Sequence, residues 1–195
     1  MRRSLPFRAV NRNGAPGYDP GLQRHHLLPR QLLRRAAFAR MFATIGDPGI
    51  RFEDFRENGL LLPCREAAAL RMGLPLHRGP HRLYSQLVAE RMGQIESAWS
   101  LAHARDPQGA AVQARMRMDL LQRALRRYLL SGRAGKIRLN RLDPLGAGID
   151  FTDLDHMAEA LWGSTAAAGW SVSPGTDPPP IQAMPTRAAR SARAD

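Results

Sequence analysis

The chain is short of several things. One cysteine, Cys64, stands among 195 residues. No disulfide can therefore form within the chain, and a small buried apolar role is the use expected of that thiol. One lysine, Lys136, stands among 29 basic residues, so the positive charge is almost all arginine. No apolar run approaches the ~18 residues of a membrane span. The opening "MRRSLPFRAVNRNG" has two arginines but lacks the continuous apolar stretch of a signal peptide. The expected location is the cytoplasm, or the outside for an effector exported without such a segment. The three tryptophans, Trp99, Trp162 and Trp170, are too scattered to suggest a platform for stacking bases.

What is abundant is positive charge, +12 net with a pI near 11.4. Such a balance favours polyanionic partners, nucleic acid ahead of an anionic membrane surface. An arginine-biased genome would raise arginine everywhere, but here the charge is segregated. Residues 1–40 hold nine arginines and one acid, residues 41–100 seven of each sign, residues 101–148 ten bases and three acids, and residues 149–165 four acids and no Arg or Lys. That pattern argues for a nucleic acid partner over a merely solvated basic surface.

The fold class expected is α+β and mostly helical. Residues 1–21, basic and rich in Gly, Pro and Asn, read as a flexible arm. Residues 22–28 read as an extended segment, after which Pro29 opens a helix over 30–43, closed by "GDPG" at 46–49. A second extended segment covers 58–63, between the turn dipeptide Asn58-Gly59 and Pro63. Tyr84, Val88, Met92 (or Arg91), Ile95, Trp99 and Ala102 share one helical face. "RDPQG" at 105–109 breaks that helix, and another runs over 110–130. Ala114, Met118, Leu121, Leu125 and Tyr128 form its inner face; Arg115, Asp119, Gln122 and Arg126 mark its wet side. The two helices are expected to pack as an antiparallel hairpin. Residues 131–148 read as a loop with one short strand, 150–162 as a capped acidic helix, and the chain from about residue 163 as a disordered tail. The implied division is an arm at 1–21, a core at 22–104, a helical extension packed on it at 105–165, and a tail at 166–195.

Four of the six histidines lie in two short stretches, "RHHLLP" and "PLHRGPHRLY". Neutral imidazole binds divalent transition ions well. His77 and His81, four apart, can share one ion if the turn between them is tight, with His77 just before a helix and His81 inside it. One of His25 and His26 can complete a set of three. Adjacent strand residues point to opposite faces, so the other is free to act as a base. Alone, either stretch is more often an ordinary polar surface. His103 and His156 have no partner at ligand spacing, and Tyr84 reads as a core residue.

Together, "RHHLLP", "NGLLLP" and "PLHRGPHRLY", in this order, resemble the AHH family of nucleases in the HNH superfamily, whose core is the ββα-metal or His-Me finger. The resemblance covers about residues 22–100. It implies a metal-dependent phosphodiesterase with a small ββα-metal core. By motif position His25, His77 and His81 would hold one divalent ion (Zn, Ni, Mn or Mg). His26 would be the general base. Asn58, the middle-motif residue of the catalytic set, would fix the loop by hydrogen bonds. Arg24 stands where the family has alanine; it, Arg78 and Arg82 are candidates to contact phosphates. The function expected is an endonuclease, on DNA ahead of RNA, of the kind found as bacterial toxin or effector domains, with an immunity protein as partner in that case and no membrane partner. The competing readings are a non-catalytic nucleic acid binder with a structural metal and a scaffold protein with a basic surface.

Overall fold

The computed structural model describes residues 3–46, 50–131 and 139–140. The helix expected at 150–162, the tail, and most of the loop at 131–148 lie outside these residues. The described chain is a mostly helical α+β fold. Two strands, β1 (Leu22–His26) and β2 (Gly59–Pro63), pair antiparallel with Leu22 opposite Pro63 and His26 opposite Gly59. Between them lie a 3-10 turn at Arg30–Arg34, helix α1 (Ala36–Ile45) and the single turn α2 (Phe55–Asn58). Helix α3 (Glu66–Met72) follows β2, and the two-residue strand β3 (His77–Arg78) leads to the long helices α4 (Arg82–His103) and α5 (Pro107–Leu130). A parallel two-residue partner, β4 (Leu139–Asn140), pairs with β3.

The paired long helices form the largest helix–helix contact, and α1 packs on both. The buried stripe of α4 runs Tyr84, Leu87, Val88, Met92, Ile95 and Trp99; α5 answers with Ala114, Met118, Leu121, Leu125 and Tyr128. Leu27, Leu28, Leu32, Phe38, Met41, Leu60 and Leu62 close the same core, so the strand pair is seated on the helices. Burial of each large apolar side chain of this kind is worth roughly 1.5–3 kcal/mol.

Several expectations are corrected. The helix expected over 30–43 is split, because Arg35 takes extended backbone angles (φ −82°, ψ 118°) between the 3-10 turn and α1. Helix α5 begins at Pro107, three residues before Ala110: Asp106 caps it by accepting from the Gly109 N–H at 2.9 Å, and proline suits the first turn because its missing N–H would have no partner there. Helix α3 had no counterpart in the sequence reading. Cys64 is only half-buried, its Sγ 3.4 Å from the Pro20 carbonyl.

Residues 3–21 are not a loose arm but a strap laid along the strand pair. The Leu5 N–H donates to Asp54 Oδ1 at 3.1 Å, and Leu5 O accepts from the Phe55 N–H at 2.7 Å. Asn11 closes the following loop, donating to the carbonyls of Asp19 and Leu22 while its own oxygen accepts from the Asp19 N–H. Phe7 is buried. Gly, Pro and Asn here build defined turns.

Candidate metal centre

Adjacent residues of a strand face opposite sides, and on β1 this sorts the tandem histidines. His25 points into the core and is 1% exposed; His26, next along, is half-buried and lies against the strap. The His25 ring meets His77 at 4.9 Å and His81 at 5.0 Å between ring centres, and His77 meets His81 at 5.3 Å. Each of the three offers one ring nitrogen, and these nitrogens lie within 4.8 Å of one another. The turn that makes this possible is Gly79, at φ +73°, where glycine adopts the left-handed backbone without steric cost. His81 is not inside the helix as expected. It is the N-cap residue of α4, with an extended backbone, and His77 sits on β3. A turn, not a shared helical face, brings the two rings together.

The polar accounting around these rings is unusual. Both nitrogens of His25 and Nδ1 of His77 are buried with no hydrogen-bond partner. Buried polar atoms are nearly always paired, and leaving one unpaired costs about 1–3 kcal/mol. Burial holds the His25 imidazole well below its ordinary pKa, with His77, His81 and His26 adding to the effect. His77 is lowered to about 4, again by burial first and His81 second. His25 and His77 therefore favour the neutral form, the one that offers a lone pair to a cation. Orphaned nitrogens on His25 and His77, converging with a ring nitrogen of His81, fit a divalent ion, and an all-nitrogen donor set suits a transition metal. Tyr84 backs the group, its ring edge-on to His25 and His81 at 4.9 and 5.3 Å.

Four bonds clamp the exit of β1. The Leu27 N–H donates to the Asn58 main-chain carbonyl at 2.8 Å, and Leu27 O accepts from the Tyr84 hydroxyl at 2.7 Å. The Leu28 N–H donates to Asn58 Oδ1 at 2.7 Å, and Leu28 O accepts from Asn58 Nδ2 at 3.0 Å. The same amide donates to Phe52 O at 3.1 Å, while its oxygen accepts from Gln122 Nε2 at 3.2 Å. Asn58 is fully buried, and both its side-chain atoms are taken up in holding the loop after His26. Helical spacing alone predicts Gln122 on the wet side of its helix. It is buried and reaches across 64 residues to Asn58, so α5 is tied directly to the middle motif. Next to it Gly59 is required by space: a Cβ there would overlap the Phe55 ring and carbonyl.

His26 stands apart from the trio. Phe7 of the strap stacks flat on it, ring centres 3.7 Å apart and planes 3° from parallel. Its Nε2 is buried and makes no hydrogen bond. Burial lowers its pKa, Glu53 opposes this, and Arg30 and Arg24 reinforce it. Phe7 is a residue that the sequence reading missed; nothing local in "SLPFRA" announces a stack against a residue 19 positions on.

The three candidate arginines part company. Arg24 donates to the carbonyls of Phe7 and Val10 at 2.9 and 3.4 Å, so its guanidinium ties down the strap. Arg78 donates to Cys64 O at 2.9 Å and lies 3.8 Å from Glu66. Of the three, only the Arg82 side chain makes no hydrogen bond or ion pair among the described residues. It borders a groove of about 560 Å³ that begins at His81.

The stretch of chain that builds this histidine trio and the separate histidine matches a protein family. Residues 7–124, 118 of the 195, match AHH, described as a nuclease family of the HNH/ENDO VII superfamily with conserved AHH. No curated protein and no solved structure matches the chain. Here the first position of that motif is Arg24, followed by His25 and His26. With more than half its length matched, the chain belongs to the AHH nuclease family of the HNH/ENDO VII superfamily, and its activity is that of a phosphodiesterase.

Proposed function

We propose that this protein is a metal-dependent endonuclease that hydrolyses nucleic acid phosphodiesters, DNA in the first place. The observation that carries the catalytic reading is the number of protein ligands. Among the described residues the group that can hold an ion has three members, His25, His77 and His81. Structural zinc sites are closed by four protein ligands, whereas catalytic sites keep three and leave a position open. The non-catalytic alternative, a basic nucleic acid binder with a structural metal, calls for a fourth.

His25, His77 and His81 would hold the ion, which supplies Lewis-acid stabilisation of the negative charge that builds on the phosphate and the departing oxygen. The chain's own residues do the rest. His26 Nε2, neutral and without a partner, takes a proton from the attacking water as the oxygen adds to phosphorus. One P–O ester bond breaks, and the leaving oxygen acquires a proton. This chemistry asks nothing of a 2′-hydroxyl, so DNA can serve as the substrate. Phe7 fixes the plane of the His26 ring. Asn58 acts by position, keeping Leu27 and Leu28, and thus the end of β1, in place. A toxin or effector role, with a cognate immunity protein, is the biological setting that the family resemblance suggests.

The test is cleavage of plasmid DNA, with RNA as a parallel substrate, with and without added divalent ions and with a chelator. The expected result is cutting that requires the ion. His26→Ala should lose about 10²–10⁴ in rate while binding the metal as the parent does, the usual worth of a general base. A His26→Ala protein that cuts at the parental rate would remove His26 from the role. A parent that retards DNA on a gel but never cuts, under any of the four candidate ions, would hand the case to the non-catalytic binder.

A further inference from the structure

We infer that the groove beside the metal centre is a phosphate cradle for the nucleic acid strand flanking the cut, and that Arg35 and Arg82 are its grips. The inference rests on the nuclease reading and adds a binding site to it. The groove, about 560 Å³, is lined by Pro29, Gln31 and Arg35 on one side and by Pro80, His81, Arg82, Ser85 and Gln86 on the other. No acid lines it. One wall belongs to the segment that continues from His26, the other begins at the ligand His81, so a strand lying in the groove passes the trio.

The charge in this groove is unanswered. Most arginines around the site are engaged: Arg24 on the strap, Arg78 on Cys64 and Glu66, Arg30 on Glu53, Arg51 on Glu57, and Arg126 on the carbonyls of Arg56 and Glu57. The side chains of Arg35 and Arg82, both exposed, make no hydrogen bond or ion pair among the described residues. Two helices also begin here. Arg35 is the N-cap residue of α1 and His81 that of α4, neither side chain caps its helix, and neither first turn holds an acid. The free N–H groups and partial positive charge of both termini thus add to two guanidiniums in one place. Polar side chains of Gln31, Ser85 and Gln86 complete a surface suited to a phosphodiester backbone. Arg35 has no neighbour among the sequence motifs. It entered the groove only because its extended backbone breaks the 3-10 turn from α1 and turns the chain there.

The experiment measures the affinity of a short fluorescein-labelled DNA duplex over a range of salt concentrations. Zinc-loaded His26→Ala protein is used so that the probe survives. Arg35→Ala and Arg82→Ala are added singly and together, with Arg71→Ala, exposed on α3 and outside the groove, as control. Each groove substitution should weaken binding by roughly fivefold and lower the slope of log affinity against log salt by about 0.9, the value of one lost phosphate contact on duplex DNA; the pair should lower it by about twice that. Arg→Lys at either site should keep the slope. Zinc content should stay at the parental level, and Arg71→Ala should match its parent. In the catalytically intact protein the same pair should raise KM for DNA cleavage far more than it lowers kcat. A double variant that keeps both the parental affinity and salt slope overturns the cradle while leaving the nuclease reading intact. A parent protein that neither binds nor cuts nucleic acid overturns both.

Discussion

Two buried polar knots lie within a few residues of each other on this fold, and they are built on opposite principles. Around Asn58 every side-chain polar atom is answered: two donors reach carbonyls of Leu28 and Phe52, and the oxygen accepts from Leu28 and Gln122. Around His25 the accounts are open: both its nitrogens and Nδ1 of His77 face protein with nothing to bond. Both asparagine and histidine are almost wholly buried, at 0% and 1% exposure. The difference separates a polar group that serves the fold from one that awaits a ligand. A saturated knot specifies a conformation. An unsaturated one costs stability until something binds.

Replacing the central residue of each knot by leucine makes the contrast measurable. His25→Leu should abolish uptake of the divalent ion and reduce cleavage to background, the largest effect expected from any single change. Yet the metal-free protein should be no less stable, because an unpaired buried imidazole is exchanged for an apolar group. Asn58→Leu should do the reverse to the fold, costing about 3–5 kcal/mol in denaturant unfolding, since it strands the Leu28 N–H, two carbonyls and the Gln122 amide at once. If His25→Leu melts the metal-free chain as severely as Asn58→Leu does, the imidazole is a structural element and the contrast collapses.

Acid should strike the open knot. His77 titrates near 6.5 when unfolded and near 4 in the folded, metal-free protein. The unfolded chain therefore binds more protons between those values, and stability falls as pH is lowered through that window. Stability from this group is fully present above pH 6.5 and gone below about 4, a loss of up to about 3 kcal/mol. His25, shifted in the same direction by burial, adds to it. Denaturant titrations of metal-free protein at stepped pH check this. Stability that stays flat between pH 7 and 4 would show that His77 is not desolvated as the fold requires. Bound ion should flatten the curve at its upper end, because protons must compete with it for the same nitrogens.

How much of this was legible in the sequence follows the same division. The strands, the apolar stripe of α4 and the histidine stretches are local patterns, so they could be read from spacing. The residues that saturate Asn58 could not, because they come from far away: Gln122 sits at a position whose helical phase pointed to solvent, and only the seating of α2 on α5 buries it. The strap misled for a related reason. Its Gly, Pro and Asn content is equally that of a loose arm, and what fixes it is Asp54, which holds the Leu5 N–H and the N-terminus of α2 together. Arg24 and Arg78 were credible phosphate ligands by neighbourhood alone. Their commitments to Phe7, Val10 and Cys64 carbonyls depend on backbone that the motif does not contain. Arg35, conversely, carries no local signal, because its position matters only once Pro29 and Pro80 face each other across a groove.

The smallest effect falls on the residue that touches both knots. Tyr84 presses its ring edge on His25 and His81 while its hydroxyl, donating to Leu27 O, belongs to the clamp built on Asn58. Burial pushes its pKa upward, so it remains a phenol, a donor, throughout the working range. Tyr84→Phe keeps the wall of the metal centre and deletes only the clamp's fourth bond. Leu27 O loses its donor, at a cost of about 1–2 kcal/mol in unfolding. Metal affinity should move little, because no ring contact is lost, and the rate at saturating ion should fall less than tenfold. A Tyr84→Phe protein that binds metal normally yet cuts as poorly as His26→Ala would move this tyrosine from wall to chemistry, and the clean separation of the two knots would fail at the one residue they share.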